Sequence, residues 1–128
     1  GSGYEAAVLS EICREVYTME RIPALMDFAQ SALEGLGYQN IFYRVGDGTM
    51  GWPEAAPFDG IVVAAGAPDV PQALKTQLSE GGRLSIPVGG RYAQTLYRIT
   101  RRGGSFDDEE LTGCVFVPLV GDQGWKEE

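Results

Sequence analysis

The sequence holds no histidine in 128 residues. That absence removes Ser-His-Asp and Cys-His nucleophile pairs, imidazole proton shuttles and most zinc or iron sites together. Cysteine is scarce: Cys13 and Cys114 are the only two, far apart and each inside an apolar stretch. We expect both to be buried, free thiols of a cytosolic protein, and we expect no metal site. Positive charge is also in short supply, with 10 Lys and Arg against 18 Asp and Glu and a net charge of −8. A protein that grips phosphate backbones needs a basic stripe. The one basic cluster, Arg98, Arg101 and Arg102, stands beside the acidic "DDEE", so nucleic acid is not an expected partner. No apolar run reaches the ~18 to 20 residues that span a bilayer, and no secretory leader is visible, so a membrane is not expected either. The expected compartment is the cytoplasm. The first residue is not Met, and we expect the natural N-terminus to lie elsewhere.

What remains is ordinary for a globular chain: 44% hydrophobic and 22% charged residues, enough for one domain over residues 1–128 with a real core. Apolar residues at near-helical spacing (Ala7, Leu9, Ile12, Cys13) predict an amphipathic helix over Tyr4–Glu15. "EVYTMER" reads as a short strand. "IPALMDFAQSALEGLG" reads as a helix with Pro23 in its first turn and Gly37 beyond its end. "NIFYRVG" is a strand, followed by the turn-rich "GDGTMGWPEAAP". "FDGIVVAAG" is a nearly continuous apolar strand of the kind buried on both faces. "PQALKTQLSEGG" predicts a short helix stopped by glycine, "RLSIPVGG" and "AQTLYRIT" a strand pair, and "GCVFVPLVG" a last strand after an exposed acidic loop.

Helices alternating with strands, then paired strands, define an α/β doubly wound fold with a mostly parallel sheet and an antiparallel C-terminal edge. In such sheets a glycine turn follows the first, central strand. Here the glycines are Gly1 and Gly3, so that strand is missing from the chain. "VYTM" and "IVVAA" are then expected to face each other across an empty slot, with unpaired backbone edges.

Gly1-Ser2-Gly3 has the look of a nucleotide-binding turn, or of a cloning remnant. Glu20 arrives seventeen residues after Gly3, at the end of the next strand. A dinucleotide-type site puts its ribose-binding carboxylate roughly there; capping of the following helix is the alternative. Asp47 follows a strand between Gly46 and Gly48, at the sheet edge where α/β ligands bind. Its carboxylate is placed to accept from an adenine amino group, or simply to close an Asp-Gly turn. Asp107, Asp108, Glu109 and Glu110 lack the oxygen-ligand spacing of a calcium loop and read as a solvated loop. Phe42 and Tyr43 stack on a ring or pack, with packing favoured for at least one.

Taken together, "GSGYEAAVL", "VYTMERIPAL", "LGYQNIFYRVGDGTMGWPEAAPFDGIVVAAGAPDVPQAL", "QLSEGGRLSIPVG" and "FVPLVGDQGW" resemble the protein-L-isoaspartate O-methyltransferase family over essentially the whole chain. The resemblance implies a Rossmann-like methyltransferase three-layer sandwich. It also implies S-adenosyl-L-methionine as cofactor, with S-adenosyl-L-homocysteine as product. By that resemblance Gly1, Ser2 and Gly3 form the methionine-binding loop, Glu20 holds the ribose with Arg21 beside it, and Asp47 with Gly48 flanks the adenine. Val117, Pro118 and Leu119 would border the groove for the isoaspartyl peptide, with Val120 at the cofactor's sulfonium end. Trp52 and Trp125 would lie near the cofactor mouth, as candidate lids. Family members carry a further region before the glycine loop that includes a Ser or Thr near the transferred methyl. No catalytic hydroxyl is therefore assigned to this chain, and Ser2 belongs to the cofactor loop.

The implied activity is methylation of the free carboxylate of L-isoaspartyl residues in damaged proteins and peptides. A carboxylate is ionised at neutral pH and needs no general base, which suits a chain without imidazole. The alternative is a truncated, inactive cofactor-binding or structural fragment. A monomer is expected of the intact form, and an oligomer is possible for a fragment.

Overall fold

The computed structural model describes residues 3–127. The chain divides into two compact units, Gly1–Gly48 and Thr49–Glu128.

The first unit is two helices on a two-stranded parallel sheet: α1 (Tyr4–Ile12), β1 (Val16–Glu20), α2 (Pro23–Gly35) and β2 (Ile41–Val45). β1 and β2 run in register from Val16 opposite Ile41 to Glu20 opposite Val45. α1 stops three residues short of the expected end. The Asn40 side-chain amide donates to the carbonyls of Ser10 and Cys13 at 2.9 and 3.1 Å, taking acceptors that a helix end leaves unpaired. The buried face of α1 is Ala6 and Ser10, not Ile12, which is exposed. Ser10 is tolerated there because its hydroxyl donates to Ala7 O at 2.7 Å. Cys13, past the helix end, is exposed and Cys114 is half-buried. The expectation of two buried thiols is thus corrected, though both are free. α2 starts with Pro23 at its first position and ends on Gly37 at φ 89°. Gly37 N–H donates to Glu34 O and Tyr38 N–H to Leu33 O, the paired bonds that close a helix on a left-handed glycine. Ala6, Val16, Leu33 and Ile41 form this unit's core, with Tyr38 and Tyr43 against it.

The second unit is a four-stranded sheet in the order β3-β4-β5-β6: β3 (Phe58–Val62), β4 (Leu78–Gly89), β5 (Gln94–Arg102) and β6 (Ser105–Cys114). β3 pairs parallel with β4, and the remaining pairs are antiparallel. Its core is Ala67, Leu74, Leu78, Leu84, Ile86 and Ile99. Leu84 and Ile86 alternate along β4, and Leu84 stands opposite Ile99. Among the described residues no ladder joins β1 to β3, and the strands fall in two sheets.

Four expectations change here. The helix expected over "PQALKTQLSEGG" is only α3 (Gln72–Thr76), and the rest begins β4. The glycines are a strand irregularity, since a Cβ on Gly82 would sit 2.9 Å from Phe58 O. β3 is shorter than expected and not buried on both faces: Val62 is exposed, and among the described residues β3 pairs with β4 alone. The acidic run is not a loop but lies within β6. Arg98 meets Glu109 at 2.6 Å, Arg102 pairs with Asp107, and Tyr97 donates to Glu110, so the sheet neighbour supplies the counter-charges. The expected last strand, "GCVFVPLVG", keeps Gly113 and Cys114 in a ladder and then makes isolated bridges, Gly66 to Pro118 and Val120 to Trp125.

Candidate functional site

In the first unit the carboxyl ends of two adjacent parallel strands carry the candidate ligand-binding residues. Glu20 is the last residue of β1, opposite Val45, and its carbonyl accepts from Gly46 N–H at 3.0 Å. Glu20, Arg21, Asp47 and Gly48 therefore gather at one end of this sheet. Glu20 Oε2 accepts from Arg21 N–H at 2.6 Å and Ile22 N–H at 3.2 Å. These amides precede α2, whose N-cap, Ile22, makes no side-chain cap bond. Glu20 thus shapes the strand-to-helix turn rather than capping the first helical turn. Partial burial acts to raise its carboxyl pKa. Hydrogen bonds to the ionised form, among them those from Ile22 and Arg21, outweigh this and hold the group below its usual range.

Asp47 is half-buried between two glycines. A Cβ on Gly46 would come within 3.3 Å of Met19 Cε, whereas one on Gly48 would meet nothing within 4 Å. The space a Gly48 side chain would fill is open, and the Glu20 carboxylate on the neighbouring strand completes the pattern. These acceptors suit a nucleoside, meeting ribose hydroxyls and an exocyclic amine beside a face without a side chain.

Gly1 and Ser2 lie outside the described residues. Gly3 precedes α1 at φ 89°, with its carbonyl accepting from Ala7 N–H at 2.9 Å. A Cβ there would press on Leu33 Cδ1 at 3.0 Å and Ala29 Cβ at 3.2 Å, so glycine permits both the left-handed turn and the approach to α2. Phe42 stacks on Tyr17 with centroids 4.8 Å apart. The Tyr43 hydroxyl is buried with no hydrogen-bond partner among the described residues.

In the second unit, Val117, Pro118, Leu119 and Val120 follow β6. Gly66 N–H donates to Val117 O at 2.7 Å, and Leu119 N–H donates to Gly66 O at 2.8 Å. Trp125 is fastened here too: its backbone N–H donates to Leu119 O, its indole N–H to Gly66 O, and Arg91 lies over its ring. So tied, the ring is held rather than free to swing as a lid. Trp52 N–H donates to Gln77 Oε1 at 2.9 Å, while Gln77 Nε2 donates to Met50 O at 3.0 Å.

Sequence reading passed over the buried amides Gln77 and Gln94. Glutamine is mostly a surface residue, and nothing in its neighbours' identity signals burial. The available signal was glycine: Gly51 and Gly66 are small because these two side chains occupy the space a Cβ would take.

Known structures share this architecture. A solved protein-L-isoaspartate O-methyltransferase superimposes with a TM-score of 0.89 at 31% identity, over 97% of this chain and 41% of its own length. A putative protein-L-isoaspartate O-methyltransferase from Plasmodium falciparum, in complex with S-adenosyl-L-homocysteine, gives 0.72 at 27%, over 83% of this chain and 52% of its own. The fold is that of the Rossmann-like methyltransferases. Residues 1–124 match the family described as protein-L-isoaspartate(D-aspartate) O-methyltransferase. A protein-L-isoaspartate O-methyltransferase of Dictyoglomus thermophilum is 51% identical over 127 residues, 99% of this chain and 58% of that protein. The chain belongs to the protein-L-isoaspartate O-methyltransferase family, and it spans little more than half the length of such curated relatives.

Proposed function

We propose that the chain is the cofactor-binding part of an enzyme that methylates the free carboxylate of L-isoaspartyl residues in proteins and peptides. The observation that carries this reading is the pairing of Glu20 and Asp47 at the carboxyl ends of two adjacent parallel strands, in a chain of this family. Glu20 would accept from the ribose hydroxyls, with Arg21 at the ribose edge. Asp47 and Gly48 would flank the adenine, and the Gly1-Ser2-Gly3 turn would receive the methionine end. When bound, S-adenosylmethionine supplies a methyl group already activated on a sulfonium centre. The chain's own residues bind, orient and exclude water; the substrate carboxylate arrives ionised and asks for no base. Val117, Pro118 and Leu119 would border the peptide, and Val120 the sulfonium end.

In this reading the two units act as one methyltransferase domain over 1–128, in the cytoplasm. Its partners are isoaspartyl proteins and peptides, without nucleic acid or membrane. The intact form would be a monomer, and this chain alone could associate. No helix among the described residues is long and apolar enough to cross a membrane.

The test is incubation with methyl-labelled S-adenosylmethionine and a synthetic isoaspartyl hexapeptide beside its ordinary aspartyl twin. Base-labile label on the isoaspartyl peptide alone is the expected result. Cofactor binding with neither peptide esterified would reduce the reading to a cofactor-binding piece without turnover.

A further inference from the structure

Gln94 stands where the β5–β6 ladder ends: its backbone faces Cys114, the last rung. Beyond it β5 gives way to the turn that leads back to β4, so the β5 backbone offers the outgoing chain nothing further. The side chain takes over. Gln94 Oε1 accepts from Phe116 N–H at 2.8 Å, and Nε2 donates to Gly90 O at 2.8 Å. Both ends of the amide are engaged and the residue is 6% exposed. At that burial an amide that loses a partner keeps the cost of its desolvation.

Behind the amide lies Gly66, where a Cβ would fall 2.7 Å from Gln94 Cδ. Gly66 is also the residue that exchanges backbone bonds with Val117 and Leu119. Gln94 therefore packs on the anchor of the outgoing segment and holds its first amide. Phe116 N, Val117 O and Leu119 N are fixed in a stretch that belongs to no ladder, while the Val117 side chain stays 70% exposed. A rigid segment presenting an exposed apolar side chain is pre-organised for a partner, because little ordering remains to be done on binding.

We propose that Gln94 is a positioning residue for the isoaspartyl peptide, its side-chain amide setting the course of Phe116–Val120. This rests on the assignment of that segment to the substrate in the function proposed above. Gln94 touches no reacting atom; it acts through the segment it holds.

The experiment titrates a synthetic isoaspartyl hexapeptide into the full chain loaded with S-adenosylhomocysteine. Gln94→Met keeps the length and removes the amide. Gln94→Glu keeps the acceptor for Phe116 N–H and, when ionised, loses the donor to Gly90 O. Gln94→Met is expected to weaken peptide binding at least about tenfold, with S-adenosylhomocysteine affinity within about twofold of wild type. Gln94→Glu, whose protonated carboxyl both accepts from Phe116 N–H and donates to Gly90 O, should bring peptide affinity back toward wild type as pH falls. Equal losses for both ligands would make Gln94 a general structural residue and overturn the inference, as would unchanged peptide binding in both variants. Should Gln94→Met not fold, the Glu variant and hydrogen exchange of the unsubstituted chain decide. The Phe116 amide should exchange at least about tenfold more slowly than an unprotected amide, and exchange at the unprotected rate would overturn the placement. A wild-type chain that binds S-adenosylhomocysteine but no isoaspartyl peptide would remove the substrate reading and this inference with it. Wild-type binding with indifferent variants would remove this inference alone.

Discussion

At the scale of single residues, the account turns on carboxylates held in place by backbone and on glycines that make room. Glu20 is oriented by the amides of Arg21 and Ile22, whose hydrogen bonds favour its ionised form. If it accepts from ribose, Glu20→Ala should weaken S-adenosylhomocysteine binding by about 1–3 kcal/mol, the scale of a charge-assisted hydrogen bond. Calorimetric affinity unchanged while the melting temperature falls would return Glu20 to a turn-shaping role. Gly51 tests the second theme. It sits at φ 67°, and a Cβ there would lie 2.2 Å from Gln77 Oε1. Gly51→Ala should destabilise the chain by about 1–3 kcal/mol in urea titration, and a loss under half of that would mean the loop relocates freely. Glu20 and Asp47 were legible because spacing from the glycines and strands placed them. Gln77 and Gln94 were not, since a buried glutamine is defined by partners far along the chain.

At the scale of elements, β1, α2 and β2 follow their sequence signals closely. Pro23 and Gly37 mark the helix, and the β-branched and aromatic runs "VYT" and "IFY" mark the strands. The misreadings share one cause, tertiary partners overriding local composition. "DDEE" forms an exposed edge strand because Arg98, Arg102 and Tyr97 lie across from it, and charged edges resist further pairing. "SEGG" lies at the start of β4, where Gly82 fits close against Phe58 of β3. The β4–β5 core carries most of the second unit, and Leu84 is fully buried within it. Leu84→Ala should cost about 2–5 kcal/mol, read from the denaturation midpoint; a cost below 1 kcal/mol would place the core elsewhere.

Tyrosine–glutamate contacts between and within elements add a pH dependence. Hydrogen bonds to Glu15, Glu11 and Glu110 raise the hydroxyl pKa of Tyr17, Tyr38 and Tyr97 above the ordinary 10.0. The folded chain then holds these protons more tightly than the unfolded chain. Their contribution is whole below about pH 10 and is lost as pH rises through the raised values. Denaturation midpoints should fall as pH rises above about 10, and phenylalanine at all three positions should flatten that fall. An identical fall in the triple variant would assign it to other groups.

At the scale of the whole molecule, a net charge of −8 opposes any phosphate backbone, and we expect no retardation of duplex DNA or RNA at physiological salt. Retention that weakens as salt rises would contradict this. The fold class was legible from the alternation of helices and strands, and the family from "GDGTMGWPEAAPFD" with "QLSEGGRLSIPVG". The division into two sheets was legible too, since "VYTM" and "IVVAA" were expected not to pair with each other, and among the described residues they share no ladder. The central claim is that Glu20 and Asp47, at the carboxyl ends of β1 and β2, form an adenosyl-cofactor site. Calorimetric titration with S-adenosylhomocysteine, on wild type and Asp47→Ala, tests it most directly. The account predicts one site per chain in the wild type and a loss of affinity in Asp47→Ala well beyond its loss of stability. No binding to the wild type, or equal affinity in both, would contradict it.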